Sequence, residues 1–365
     1  MKTSFISSLA MQNSMRSTIL KAQLEMTNLN TELTTGKHAD LGVTLGANTA
    51  RSLDLNRDVD RLQSNITINA FATQRLESSQ AALKSMATAA NKIQSVVLTT
   101  NGAEAPTTAV VLQTITDAYK TFTGFANTAV GGEYLFSGIN TDVQPVDDYF
   151  AEGSTLKAAY DVELNSFLAT AGVSKPSDLT KDQVSAFMTH IEGVFNGTTT
   201  VTNPPHTGLD GTQNYDFWTT FGSKASDTNM TSRISQNEVV ESSTNSNSQG
   251  MRYFAMTSVT AMTFLDDSVS SEIRAMVASQ AGTNIGKAID GLNQQASSLG
   301  LSQERVTKAN DSLSAQKKII ETHLLDIEGI DTYEAKTRLD LLQQQIEIAY
   351  SLTSRLQKMS LVNYL

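Results

Sequence analysis

The sequence contains no cysteine. Disulfide frameworks, thiolate zinc sites and cysteine nucleophiles are thereby excluded; the absence suits a chain that leaves the cell unfolded and equally an ordinary cytosolic one, so it fixes no compartment. Proline is scarce. Pro106, Pro145, Pro176, Pro204 and Pro205 all lie between positions 106 and 205 of the 365 residues. Proline removes a helical N–H and clashes with the preceding turn, so the two proline-free flanks can form long helices and the centre must differ. Aromatic residues make up 6%, with one tryptophan, Trp218, an unusual mixture for an enzyme of this length. Basic residues number 27 against 37 acidic, a formal charge of −10. That sign repels phosphate backbones and anionic headgroups, so neither nucleic acid nor a membrane surface is an expected partner. No run approaches the roughly 18 apolar residues of a membrane span. The opening Met1–Ile6 has one early charge and lacks the apolar run and small-residue cleavage site of a secretory signal; any export is expected to proceed without a cleaved signal peptide.

What the chain does have is apolar periodicity. Near the N-terminus Met15, Ile19, Ala22, Met26, Leu29 and Leu33 follow steps of four and three, the coiled-coil period. Gly36 is placed to end that helix. A second helix is expected from about Ala50, with Leu55, Val59, Leu62, Ile66, Leu76, Leu83, Ala90 and Val97 on its seam, and Asn101–Pro106 stopping it. A third carries Val111, Ile115, Ala118, Phe122, Phe125 and Ala129, closed by Gly131-Gly132. The strongest pattern lies in the last third, where Ile285, Leu292, Leu299, Val306, Leu313, Ile320 and Ile327 are each seven apart. The second column of that heptad is mixed: it includes Ile289, Ala296 and Leu324 but also Gln303, Asn310 and Lys317. One apolar and one mixed column predict packing within a bundle, since a symmetric two-stranded zipper wants both columns apolar. Gly329 breaks the helix, Asp331 and Glu334 have capping-box spacing, and a last helix carries Leu342, Ile346, Ala349, Leu352, Leu356 and Met359.

The centre is rich in Gly, Asn and Thr. Thr180 and Gln183 form a candidate capping box before Val184, Phe187, Ile191 and Phe195, and Tyr215, Phe217, Trp218 and Phe221 mark an aromatic core. The fold class expected is mainly α: a long antiparallel helical bundle or coiled-coil rod built from the N- and C-terminal segments, with a small α+β domain inserted in the middle.

Residue patterns that would carry chemistry fail on mechanism. His38, His190, His206 and His323 have no second histidine at ligand spacing. Asp54–Asp60 imitates a calcium loop, but Val59 stands where the turn glycine belongs and Asn65 where the bidentate glutamate belongs. Gly36-Lys37 lacks the earlier glycine and the following Ser/Thr of a phosphate loop. Glu321, His323 and Asp326 share a helix without a base oriented by a third group. No catalytic residue, cofactor or metal is expected. The remaining feature is the pair of apolar stripes reaching both ends of the chain. Such helices are marginal alone, and the expected assembly interface is Met15, Ile19, Ala22, Met26, Leu29 and Leu33 with Leu342, Ile346, Ala349, Leu352, Leu356 and Met359.

Leu29–Lys37 (LNTELTTGK) resembles the segment of the bacterial flagellin family in which the first helix ends in a Leu-x-Ser/Thr-Gly-Lys/Arg turn. Gly132–Gly138 (GEYLFSG) and the closing Ser360–Leu365 (SLVNYL) are similar to signatures of the family's hook-associated members, those of the hook–filament junction. The resemblance covers roughly the first 140 and last 120 residues. It implies terminal assembly helices at 1–40 and 330–365, unordered in the free subunit. Residues 41–140 and 241–329 would form a helical rod, and 141–240 an inserted projecting domain. It further implies self-association in a ring, flagellin on one side, a hook-side junction protein on the other, and delivery by the flagellar export apparatus or a chaperone to the extracellular flagellum. The family's projecting domain is often strand-rich, whereas 155–195 reads as helical. Flagellin itself, a secreted coiled-coil tip or effector protein, and an enzyme with a pocket near Trp218 and His206 are the other readings.

Overall fold

The computed structural model describes residues 8–100, 106–211 and 213–362. The chain is mainly helical. Its helices are α1 (Ser8–Thr35), α2 (Leu41–Leu45), α3 (Thr49–Thr99), α4 (Thr108–Ala126) and α5 (Thr155–Ala171). They continue with α6 (Lys181–Phe195), α7 (Gln249–Phe264), α8 (Ser271–Glu328) and α9 (Thr332–Val362). Two antiparallel hairpins, β1 (Ala129–Val130) with β2 (Glu133–Tyr134) and β3 (Thr231–Arg233) with β4 (Val239–Glu241), are the sheets of the described residues. Among those residues no helix is long and apolar enough to cross a membrane. The chain divides into two compact units, Met1–Ser64 with Ser312–Leu365, and Asn65–Asp311; α3 and α8 contribute residues to both.

In the first unit the chain breaks fall where glycine permits them. Gly36 takes a left-handed φ of +72°, and its N–H reaches the Glu32 carbonyl at 2.7 Å, terminating α1 as a glycine just past a helix does. Asp331 caps α9, its Oδ1 accepting the N–H groups of Tyr333 and Glu334 at 2.8 and 3.1 Å. Glu334, expected to complete a capping box, instead pairs with Arg338 one turn on, at 2.7 Å. The calcium-like run Asp54–Asp60 lies inside α3, where Asp54 and Asp58 pair with Arg57 and Arg61.

In the second unit α3 and α8 run antiparallel, and the heptad column of α8 faces the core: Ile285, Leu292, Leu299 and Val306 are buried. The polar members of the mixed column each meet a polar partner on α3. Gln303 accepts from Gln80 at 2.6 Å and Asn310 accepts from Asn69 at 2.8 Å; within the first unit Lys317 donates to Gln63 at 2.7 Å. Mixed columns in a heptad are therefore hydrogen-bonded rungs, and they fix register as buried polar positions do in coiled coils.

Val111, Ile115, Ala118 and Phe122 of α4 are buried as expected, with Phe122 stacked on Phe254 of α7 at 4.2 Å between ring centres. Gly131-Gly132 does not close that helix. α4 stops at Ala126, and the two glycines, at φ of +63° and +88°, form the two-residue turn between β1 and β2. Positive φ at both positions is what such a hairpin turn demands, so Ala129 belongs to a strand and not to the α4 seam.

The middle segment folds through local caps. The Ser154 hydroxyl accepts from the Lys157 N–H at the start of α5, and α6 carries the full Thr180–Gln183 capping box. Phe217 and Trp218 are fully buried and Tyr215 and Phe221 half-buried, with Phe195 4.8 Å from Phe217. Arg252 of α7 ties this region together, donating to Asp216 at 2.7 Å and to the Phe195 carbonyl at 3.0 Å. The core is continuous from Leu76 on α3 through Phe187, Trp218 and Phe254 to Ala309 on α8.

Candidate assembly interface

In the first unit α1 and α9 pack along each other in opposite directions. Leu29 is buried against Ala335 and Leu339, flanked by Met26, Leu33, Ile330 and Leu342. Further along, Gln23 donates to the Tyr350 hydroxyl at 3.0 Å, and the Thr353 hydroxyl lies 3.8 Å from the Met15 sulfur. The period-3.5 seam of α1 is therefore occupied by the chain's own α9. Ile19 and Leu29 are buried, and Met15, Ala22, Met26 and Leu33 half-buried. On α9, Leu342, Ile346 and Ala349 are half-buried while Leu352 is 44% exposed. The side chains of Leu356 and Met359 lie outside the described residues, as do the side chains of Ser360–Val362 and all of 363–365.

The paired seams leave a second apolar strip facing out. Leu20 and Leu24 of α1 are 61% and 67% exposed, and Leu341, Ile348 and Leu352 of α9 are 53%, 61% and 44% exposed. Leu20 and Leu24 are four apart, and Leu341, Ile348 and Leu352 follow steps of seven and four, so each set shares one helical face. Sequence reading missed this strip because the stronger 3.5-residue seam beside it absorbed the periodicity. The signal was present as a second column of large aliphatics on helices with no need for one. Each Leu or Ile removed from water contributes about 1.5–3 kcal/mol.

Ionisable groups do converge in the second unit, at a place the sequence did not reveal. Glu163 of α5 receives His190 of α6 at 2.7 Å on one carboxylate oxygen and His206 at 2.6 Å on the other. His206 is buried against the Phe221 ring, 5.0 Å between centres. Burial pushes the Glu163 pKa up, but the two histidine hydrogen bonds outweigh it and hold the carboxyl below its ordinary value. A cavity of about 330 Å³ beside Glu163 and His190 is lined by Ser166, Phe167, Thr170 and Thr200–Thr202. The histidines here are consumed as donors to one carboxylate. Among the described residues no group of three His, Cys, Asp or Glu side chains could hold a metal ion.

Comparison with known proteins bears on the two flanks. Residues 6–141 match the bacterial flagellin N-terminal helical region, and residues 283–365 match the bacterial flagellin C-terminal helical region. A solved structure described as a flagellar hook-associated protein from Vibrio parahaemolyticus aligns with a TM-score of 0.50 at 10% sequence identity, covering 77% of this chain and 97% of that one. At that identity the likeness is one of fold. No curated protein matches the chain. With more than half of its length matched by the two helical regions, at the flanks where α1 and α9 pair, the chain belongs to the bacterial flagellin family and is a structural subunit of the extracellular flagellum.

Proposed function

We propose that this subunit is a hook–filament junction adaptor that assembles in a ring through α1 and α9. Its neighbours are then flagellin on one side and a hook-side junction protein on the other, and the flagellar export apparatus delivers it. The observation carrying assembly through the ends is the uncovered strip of Leu20, Leu24, Leu341, Ile348 and Leu352 beside a self-paired seam. In this reading the seam residues from Met15 to Leu33 and from Leu342 to Met359 build the α1–α9 pair, and neighbouring subunits complete it. The terminal helices are then the least ordered part of the free subunit, as their small buried core would suggest.

Placement at the junction is supported by the Gly132–Gly138 stretch. It starts at the second glycine of the β1–β2 turn, buries Leu135 and Phe136, and ends on Gly138 at φ +63°. A Cβ at Gly138 would run into the carbonyl oxygens of Ser226 and Thr228, so the terminal glycine of the signature is a steric requirement. The hook-associated description of the Vibrio parahaemolyticus structure is in keeping with this placement.

The second reading is flagellin, favoured by the names of both matched regions. A deletion strain separates the two. Loss of filaments with flagellin spilled into the medium is expected for an adaptor present in few copies. Loss of the filament protein itself identifies flagellin, and intact filaments overturn both.

A further inference from the structure

Glu328 is the last residue of α8, and its carboxylate is fully buried in the first unit. Burying a carboxylate is costly unless every lone pair finds a donor. Here the donors come from segments far apart in sequence. Lys37, immediately after the α1 break, pairs with one oxygen at 2.7 Å. Ser52 and Asn56, in the opening turns of α3, donate to the other, Asn56 at 2.7 Å. The main chain repeats the link. The His38 N–H reaches the Glu328 carbonyl at 3.0 Å, the Ile330 N–H reaches the Gly36 carbonyl at 3.2 Å, and Lys37 and Gly329 form an antiparallel bridge. Glu32, in the last turns of α1, accepts the Ala39 N–H at 3.0 Å and closes the turn from the other side.

Both glycines that end helices here, Gly36 and Gly329, are therefore pinned against each other. A break at a glycine is otherwise a swivel. Among the described residues, the apolar cluster of the α1–α9 pair beyond it has Leu29, Ala335 and Leu339 as its buried members, too little to orient two long helices on its own.

We infer that Glu328 is the bolt of a clasp that couples the two chain breaks, so that α1 and α9 order and release as one element on the ends of α3 and α8. The clasp is a conformational device of the first unit. It stands on that unit's geometry and not on the junction reading.

The test is amide hydrogen exchange on the full-length chain in sulfate-containing buffer, which favours burial. Unaltered chain, Glu328→Gln and Lys37→Met are compared. Glu328→Gln keeps the shape and loses the charge, whereas Lys37→Met removes the ammonium from a side chain 45% exposed. The expected result is that protection of α1 and of α9 falls in parallel, by about tenfold or more, while α4 and α7 keep theirs. Should Glu328→Gln also expose α4 and α7, Lys37→Met decides. Unchanged exchange, loss in only one of the two helices, or no protection of either in the unaltered chain overturns the inference.

Discussion

Glu163 and Glu328 are both buried carboxylates, and they are paired in different ways. Glu328 holds a lysine and two neutral donors at a chain break. Glu163 is held by two imidazoles inside the α5–α6 region. Because the folded pKa of Glu163 is depressed, its stabilising effect is complete above the unfolded value, near 4.5, and is lost as the pH falls through the folded value. Glu163→Gln is expected to cost about 2–3 kcal/mol at neutral pH. In denaturant titrations the gap to the unaltered chain should narrow progressively as the pH is lowered below the unfolded value. A gap independent of pH would show that the ionised carboxylate is not its source. The sequence could not disclose this cluster. His190 and His206 stand 27 and 43 residues from Glu163, and only the packing of α6 and the 196–216 loop on α5 brings them together. The local caps at Ser154, Thr180 and Asp331, by contrast, act within three residues, and those at Thr180 and Asp331 were legible.

At the scale of elements, periodicity was the part the sequence carried best. The seven-residue column of α8 became a buried face, and the intrusions of Gln303, Asn310 and Lys317 became rungs to α3. Gly131-Gly132 was misread because two glycines end a helix as readily as they make a hairpin turn; strand pairing decides between them. The crossing of α7 and α8 was not legible at all. Gly250 and Gly291 meet so closely that a Cβ on Gly250 would lie 2.8 Å from the Gly291 carbonyl carbon, and one on Gly291 2.6 Å from the Gly250 Cα. Nothing in either segment marks the other as its neighbour. Since backbone meets backbone, no side chain can give way, and Gly250→Ala must push the helices apart at a cost of about 1–3 kcal/mol. The check is a lower urea midpoint at unchanged slope. Retained stability would mean that the crossing tolerates separation.

At the scale of the whole molecule, the flanks and the middle divide the work. Aromatic residues, caps and a continuous core settle the second unit from within. Among its described residues the first unit holds a buried carboxylate, a small apolar cluster and a strip of exposed aliphatics. From the sequence, the seam itself is the expected assembly interface. The structure gives the seam to the α1–α9 pair and leaves the neighbouring column exposed. An assembly built this way gains many modest contacts per subunit, each about 1.5–3 kcal/mol for a buried Leu or Ile, without demanding a rigid monomer.

The most direct measurement is filament counting by electron microscopy on cells whose only copy of this subunit carries Leu24→Glu and Ile348→Glu. Both positions are exposed in the single chain, so its helicity and export should be unchanged. The expected result is exported, folded subunit with few or no filaments attached. Normal filament numbers on those cells would contradict assembly through this strip.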